Sequence, residues 1–231
     1  MTRSWMALGL AALMAAPVCA QTQDTGPSWW RPFVGVGYTW GGKTIYPGRI
    51  QIIGTSTVYD EDVSAGAGLD LRTGLQLRPG GGPLTIKGVI AYHTDGQSGL
   101  DGWTNFHRMP VELGLGYAIN ERWNIGAGAR KSLRPQLRRH KDNYEISTSP
   151  SVTVNYDYRE TMSAKTGYYI ETEWLMTPSL ALQARLVHET FRVEKISYEN
   201  SGGLSYTYEA NGNGPTYGAD HFGLMLVYYF R

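Results

Sequence analysis

The side chains that could do chemistry in this chain are few. His93, His107, His140, His188 and His221 are its five histidines, and no two of them have the i, i+4 spacing of a metal-binding HExxH helix. A serine nucleophile needs a histidine base and an acid to orient that base. The nearest such set is His93, Ser98, His107 and Glu112. Asp220 and His221 are adjacent, but neighbours on an extended chain point to opposite faces and do not form a dyad by themselves. Gly80-Gly81-Gly82 lies between Pro79 and Pro83 and reads as a tight turn rather than a phosphate cradle. The remaining candidates are charges set among apolar residues: the acids Asp70, Glu112, Glu171, Glu173 and Glu189, and the bases Arg72, Lys87, Arg108, Arg130 and Arg185.

Whether these charges meet depends on the elements that carry them. Every second residue from Val63 to Leu77 is apolar, apart from Thr73, and Gly66, Gly68, Asp70 and Arg72 fall between. Such alternation predicts one long strand over 63–77, with one face in an apolar medium and the other in a polar one. Ordinary globular strands are shorter.

Seven more segments share the pattern: 33–40, 84–93, 106–117, 123–131, 165–175, 180–192 and 218–230. Their parity sends Tyr38, Ile90, Leu113, Ile125, Ile170, Leu182 and Leu226 outward, and all ten charges inward. His93 and Glu112 also point inward while His107 points outward, which scatters the nucleophilic set. The connections alternate between short (79–82, 118–122, 176–179) and long (41–61, 94–105, 132–163, 193–217). Within 132–163, an additional membrane strand would carry Arg138-Arg139-His140-Lys141-Asp142, with charge on both faces. A lipid-facing Arg or Lys costs roughly 2–4 kcal/mol at the midplane. Residues 144–158 are therefore expected to form a hairpin above the membrane, leaving eight strands.

Composition agrees with a barrel. No stretch after residue 20 has the roughly 20 apolar residues of a membrane helix, yet the chain holds 29 Gly and 16 Tyr with a mean hydropathy of −0.32. Only half of each barrel strand faces lipid, so mean hydropathy stays low. Residues 1–20 read as a cleaved secretory signal, with Arg3, a short apolar run and Val18-Cys19-Ala20 before the cleavage point. Residues 21–31 are expected as a periplasmic lead-in and 32–231 as the barrel. Cleavage would remove Cys19, the single cysteine, which excludes disulfides and thiol chemistry. Net charge is +1, so no basic excess points to nucleic acid.

The closing segment, in which Phe222, Leu224, Leu226, Tyr228 and Phe230 alternate, resembles the C-terminal signature of bacterial outer-membrane proteins; Arg231 departs from it by one residue. Together with the Gly-rich stretch from Pro110 to Arg130, the chain resembles small eight-stranded barrels of the OmpX, OmpW and OmpA-domain type. That resemblance implies an all-β, antiparallel, up-and-down transmembrane barrel in the outer membrane of a Gram-negative bacterium. It further implies a signal read by the barrel-assembly machinery, short periplasmic turns, long extracellular loops and contact with outer-membrane lipid and lipopolysaccharide. Tyr117, Trp123, Trp174, Tyr228 and Phe230, beside the short turns, are expected to form an interfacial aromatic girdle.

Eight strands leave a lumen that side chains fill, and five acids against five bases predict paired plugging rather than a selective pore. The expectation is a monomeric barrel with no catalytic site, metal or cofactor. Its role would be structural, or surface interaction through Tyr-rich loops. Two alternatives stay open: a narrow channel for ions or small solutes, and a lipid A-modifying enzyme. Lipid A deacylases resemble a His-x-Ser pair with a later Glu, which His93-Thr94-Asp95 does not match. An omptin-like protease would place Asp and His at the barrel top, but it needs ten strands.

Overall fold

The structure is a computed structural model describing residues 29–46, 49–51, 58–60, 62–99, 102–148 and 151–230. The expected signal at 1–20 and nearly all of the lead-in at 21–31 lie outside the described residues. In chain order the strands are β1 (Trp30–Gly41), β2 (Thr44–Tyr46), β3 (Arg49–Gln51), β4 (Val58–Asp60), β5 (Val63–Ser64), β6 (Gly68–Leu77), β7 (Leu84–Gly99) and β8 (Gly102–Ala118). They continue as β9 (Trp123–Thr148), β10 (Ser151–Ala164), β11 (Gly167–Leu175), β12 (Leu180–His188), β13 (Thr190–Asn200), β14 (Ser205–Glu209), β15 (Thr216–Gly218) and β16 (His221–Tyr229).

Eight of these close on themselves in the order β1, β6, β7, β8, β9, β11, β12, β16 and back to β1, antiparallel throughout. A circuit of paired residues that leaves β1 at Trp40 returns to it at Trp30, ten residues away. Strands so staggered must tilt, by about 35–45° in barrels generally, and every ladder is satisfied with no free edge. At one end of the barrel the connections are tight. Gly80 and Gly81 take positive φ in the first turn; Asn120 Oδ1 accepts from the amides of Arg122 and Trp123 in the second; Thr177 Oγ1 accepts from Ser179 and Leu180 in the third.

Pleating sorts the side chains. Leu84, Ile90, Leu113, Leu115, Ile125, Ile170, Leu182 and Leu226 are exposed on the outside, while Asp70, Arg72, Arg108, Glu112, Arg130 and Arg185 are buried inside. An apolar exterior around a charged interior reverses the arrangement of a water-soluble barrel and suits a bilayer.

The wall continues beyond this belt. A strand crosses the hydrocarbon in roughly 9–11 residues, yet β9 has 26. Its upper half leaves β11 and pairs with β10, which pairs in turn with β13 and then β14. Eight barrel strands thus rise into a taller sheet, as the charges at 138–142 require. The hairpin expected over 144–158 is present in the pairing of β9 with β10, but its two strands start lower than expected, so that 132–163 is strand almost throughout rather than a loop. Likewise 94–105 is mostly strand, with β7 reaching Gly99 and β8 starting at Gly102. In 193–217, β13 continues to Asn200 and is followed by β14.

The expected strand 63–77 is also interrupted. β5 is a two-residue partner of β2, and Val63 and Ala65 are buried at 1% and 0% exposure instead of facing outward. Gly68, at φ +123°, sits where a Cβ would collide with the Thr94 carbonyl oxygen. The chain reverses parity there, and only from Leu69 onward does the outward face match the expectation. A second parity change occurs on β9. Leu133 and Arg134 are both exposed, Arg134 has φ +51°, and the register with β8 slips between His107 and Met109. This bulge turns Leu137 inward.

Candidate functional site

The lumen holds all ten predicted charges, nine carried on six strands and Glu189 at the junction of β12 and β13. Near the tight-turn end, Lys87 Nζ on β7 lies 3.0 Å from both Glu171 Oε1 and Glu173 Oε2 on β11. Glu173 also accepts from Asn124 Nδ2 at 3.1 Å and from the Tyr229 hydroxyl at 2.6 Å. Arg72 donates through Nε and Nη2 to Asp70 Oδ1 at 3.1 and 2.9 Å, two residues along the same face of β6.

Glu112 on β8 is the hub. Its carboxylate meets Arg185 Nη2 at 3.0 Å, Arg130 Nη1 at 3.1 Å and Arg72 Nη1 at 3.8 Å. Arg130 Nε is 3.2 Å from Glu189 Oε2, and Glu189 Oε1 accepts the Ser132 amide at 2.8 Å. Buried charges survive only when paired, and these pair from strand to strand across the axis. The three Arg130 guanidinium nitrogens and Arg185 Nε and Nη1, however, find no hydrogen-bond acceptor.

Arg108 stands apart. Its Nη1 donates to the Ala65 carbonyl, and its guanidinium lies over the rings of Phe191 at 5.0 Å and Phe106 at 5.8 Å. Those rings belong to an apolar layer with Val63, Ala65, Leu137, Met162, Val193 and Ala219, lying above the charges. Toward the tight turns Phe33, Val89, Ala181, Met225, Val227 and Tyr229 form a second cluster, beside buried Gln76, Thr85 and Asn124. The upper layer is an apolar plug, whereas the second cluster interleaves with the charges: Val89 is the register partner of Glu112, and the Tyr229 hydroxyl donates to Glu173.

Of the histidines only one pair comes together, beside Asp70. His93 and His221 face inward with ring centroids 5.8 Å apart, each held by a backbone carbonyl, of Ala67 at 2.8 Å and Ala219 at 2.6 Å. His107 stacks on Tyr92 outside, and Glu112 is engaged by arginines. Asp220 pairs with His188 at 2.7 Å on the exposed face, opposite to His221. Among the described residues no group of three or more His, Cys, Asp or Glu side chains could hold a metal.

Outside, Tyr117, Trp123, Trp174 and Phe230 are exposed and Tyr228 partly so, all beside the tight turns. Trp123 stacks on Trp174, and Tyr228 meets Phe230 edge-on. Sequence reasoning missed a second ring of aromatics at the other limit of the apolar belt. There Tyr38 packs on Trp40, Trp40 stacks on Phe222, and Tyr168 lies on His188. The signal was present, since Tyr92 and Tyr168 have outward parity. In β16, Phe222, Leu224 and Leu226 face outward, and the strand pairs with β1 from Gly41↔His221 to Phe33↔Tyr229, so the C-terminal segment is the one that closes the barrel.

No family model matches the chain, and no curated protein matches it either. Among solved structures it is similar to a major outer membrane protein from Thermus thermophilus, at 14% identity and TM-score 0.49, covering 87% of this chain and 99% of that one. The Escherichia coli outer membrane protease OmpT is similar at 10% identity and TM-score 0.43, over 91% and 99% of the two chains. The Yersinia pestis outer membrane protein Ail is similar at 12% identity and TM-score 0.36, over 87% and 99%. Likeness at this level transfers no activity.

Proposed function

We propose that this chain is an integral outer-membrane β-barrel protein with a sealed lumen. In this reading it acts structurally, or through surface contacts made by the tall sheet of β9, β10, β13 and β14. One observation carries the proposal: an exterior apolar belt encloses ten lumen charges, nine of them ion-paired with one another. A conducting path needs a wetted, continuous wall, usually with one sign of charge in excess, whereas the ten lumen charges divide evenly into five acids and five bases.

In the same reading the tight turns face the periplasm and the tall sheet faces outward, which supports the asymmetry expected of outer-membrane barrels. The barrel-assembly machinery reads Phe222, Leu224, Leu226, Tyr228 and Phe230, and the barrel works as a monomer in outer-membrane lipid. The ten charges serve as an internal brace, and both aromatic rings sit at the membrane boundaries.

The test combines three measurements. The folded protein should migrate differently on a denaturing gel before and after boiling, and it should be silent in planar bilayers. Protease added to intact cells should cut between residues 132 and 163. Discrete conductance steps would establish the channel instead. A mass change in lipid A on overexpression, lost in His107→Ala or Ser98→Ala, would establish the enzyme.

A further inference from the structure

On the outer face just above the apolar belt, Arg138 on β9 and Arg159 on β10 are direct register partners, and both are exposed. Directly opposed residues on one face have Cβ atoms about 4.5–5.5 Å apart, and like charges there are destabilising. Among the described residues no acid lies within ion-pair distance of either arginine, and Asp157, two residues from Arg159 on the same face, is taken by His140. The ion pairs of the tall sheet there are His140 with Asp142 and Asp157, and Lys195 with Glu209, none of which includes either arginine.

The site is held in place. Gln136 Oε1 accepts from Arg138 Nε at 2.6 Å, and Gln136 Nε2 donates to Thr161 Oγ1 at 3.3 Å, which fixes the row beneath. His107 belongs to that row, opposite Gln136. Below it the exterior turns apolar, with exposed Met109 opposite Leu133. Exposed Lys131 and Arg134 flank Leu133 on the same strand. Their long side chains can lay their stems along the apolar surface while the charge rises to the boundary.

Two guanidinium forks with no acid between them, set directly over an apolar surface at the level of an aromatic ring, match an amphiphile with a phosphate head and acyl tails. Resting on the membrane-barrel reading above, we infer that Arg138 and Arg159 clamp a phosphate of an outer-leaflet phosphoglycolipid, with its acyl chains against Leu133 and Met109. Arginine forks hold phosphate bidentately, and the ligand's charge cancels the repulsion that the bare sheet carries.

The test uses the folded full barrel in neutral detergent micelles, titrated with bis-phosphorylated lipid A, with the same lipid after dephosphorylation, and with inorganic phosphate. Arg138→Gln and Arg159→Gln should each weaken binding of the phosphorylated lipid about tenfold, the loss expected for one charge-assisted hydrogen-bonding group. The double variant should bind it no better than the dephosphorylated form. Without lipid, each single variant should melt at or above the wild-type temperature, because one of two repelling charges is gone. Wild-type binding by both variants, or a lower lipid-free melting temperature in each, overturns the inference. Equal response to inorganic phosphate overturns the assignment to a lipid. A chain that is heat-modifiable and membrane-embedded but blind to lipid phosphorylation refutes this inference alone, whereas a chain that never enters the membrane refutes the reading beneath it.

Discussion

Arg185 on β12 and Glu112 on β8 meet at 3.0 Å across the barrel axis, joining strands that are not neighbours in the wall. Such a contact fixes the cross-section of the barrel in a way that ladder hydrogen bonds, which run only between adjacent strands, cannot. Glu112 does this for three arginines together, Arg72, Arg130 and Arg185. Glu112→Ala leaves their buried guanidinium groups with too few acids. Removing one partner of a buried pair costs roughly 3–5 kcal/mol, so the variant should unfold at markedly lower urea concentration in detergent than wild type. An unchanged midpoint would show that the brace is decorative.

The upper plug predicts a different dependence. Phe106 and Phe191 pack at 5.6 Å between centroids, and both are fully buried. Phe191→Ala should cost about 3–5 kcal/mol, as truncation of a core aromatic usually does. Phe222→Ala, whose ring already lies on the outside, should cost clearly less. Unfolding curves of the two variants in the same detergent make the comparison, and equal losses would place Phe191 outside a packed core.

Alternation was enough to read the barrel and its strand count, because pleating leaves little freedom once one face must meet lipid, but buried Glu160 was not among the ten charges read as inward. What could not be read were the places where the pleat breaks. Around Gly66 and Gly68 the run of small residues looks like an unbroken strand, while the backbone reverses parity and turns Val63 and Ala65 into the upper plug. At Arg134 the bulge depends on a positive φ at a residue type that gives no hint of one. The cross-lumen partners were equally hidden. Parity says that Glu112 points inward, but only the ten-residue stagger decides which arginines it meets.

Gly68→Ala tests the first of those breaks. At φ +123°, with the Thr94 carbonyl oxygen standing where the Cβ would go, no L side chain fits without moving β7. A loss of about 1–3 kcal/mol is expected, read as a lower midpoint of heat-induced gel migration. Substitution at Gly88, where an added Cβ meets nothing within 4 Å, is the control and should be far milder. If both variants behave alike, the parity reversal does not depend on Gly68.

His140 sets the pH response of the tall sheet. Its Nδ1 lies 2.9 Å from Asp157 Oδ1 and its Nε2 lies 3.2 Å from Asp142 Oδ1, while its ring stacks on Trp103 at 6.2 Å. The hydrogen bond to Asp157, with help from Asp142, holds the imidazolium above the usual histidine range. A histidine whose folded value is raised contributes its full stabilisation below the unfolded value near 6.5. That stabilisation is lost as pH rises through the higher folded value. The side chain is 29% exposed, so solvent screening limits the effect to about 0.2–1 kcal/mol, at most a fivefold change in local opening. After correction for intrinsic exchange rates, amide protection around Lys141 to Tyr144 should therefore be higher at pH 5.5 than at pH 9. His140→Gln should flatten the difference. Protection that grows with pH, or a slope that survives the substitution, would place the control elsewhere than in this triad of His140, Asp142 and Asp157.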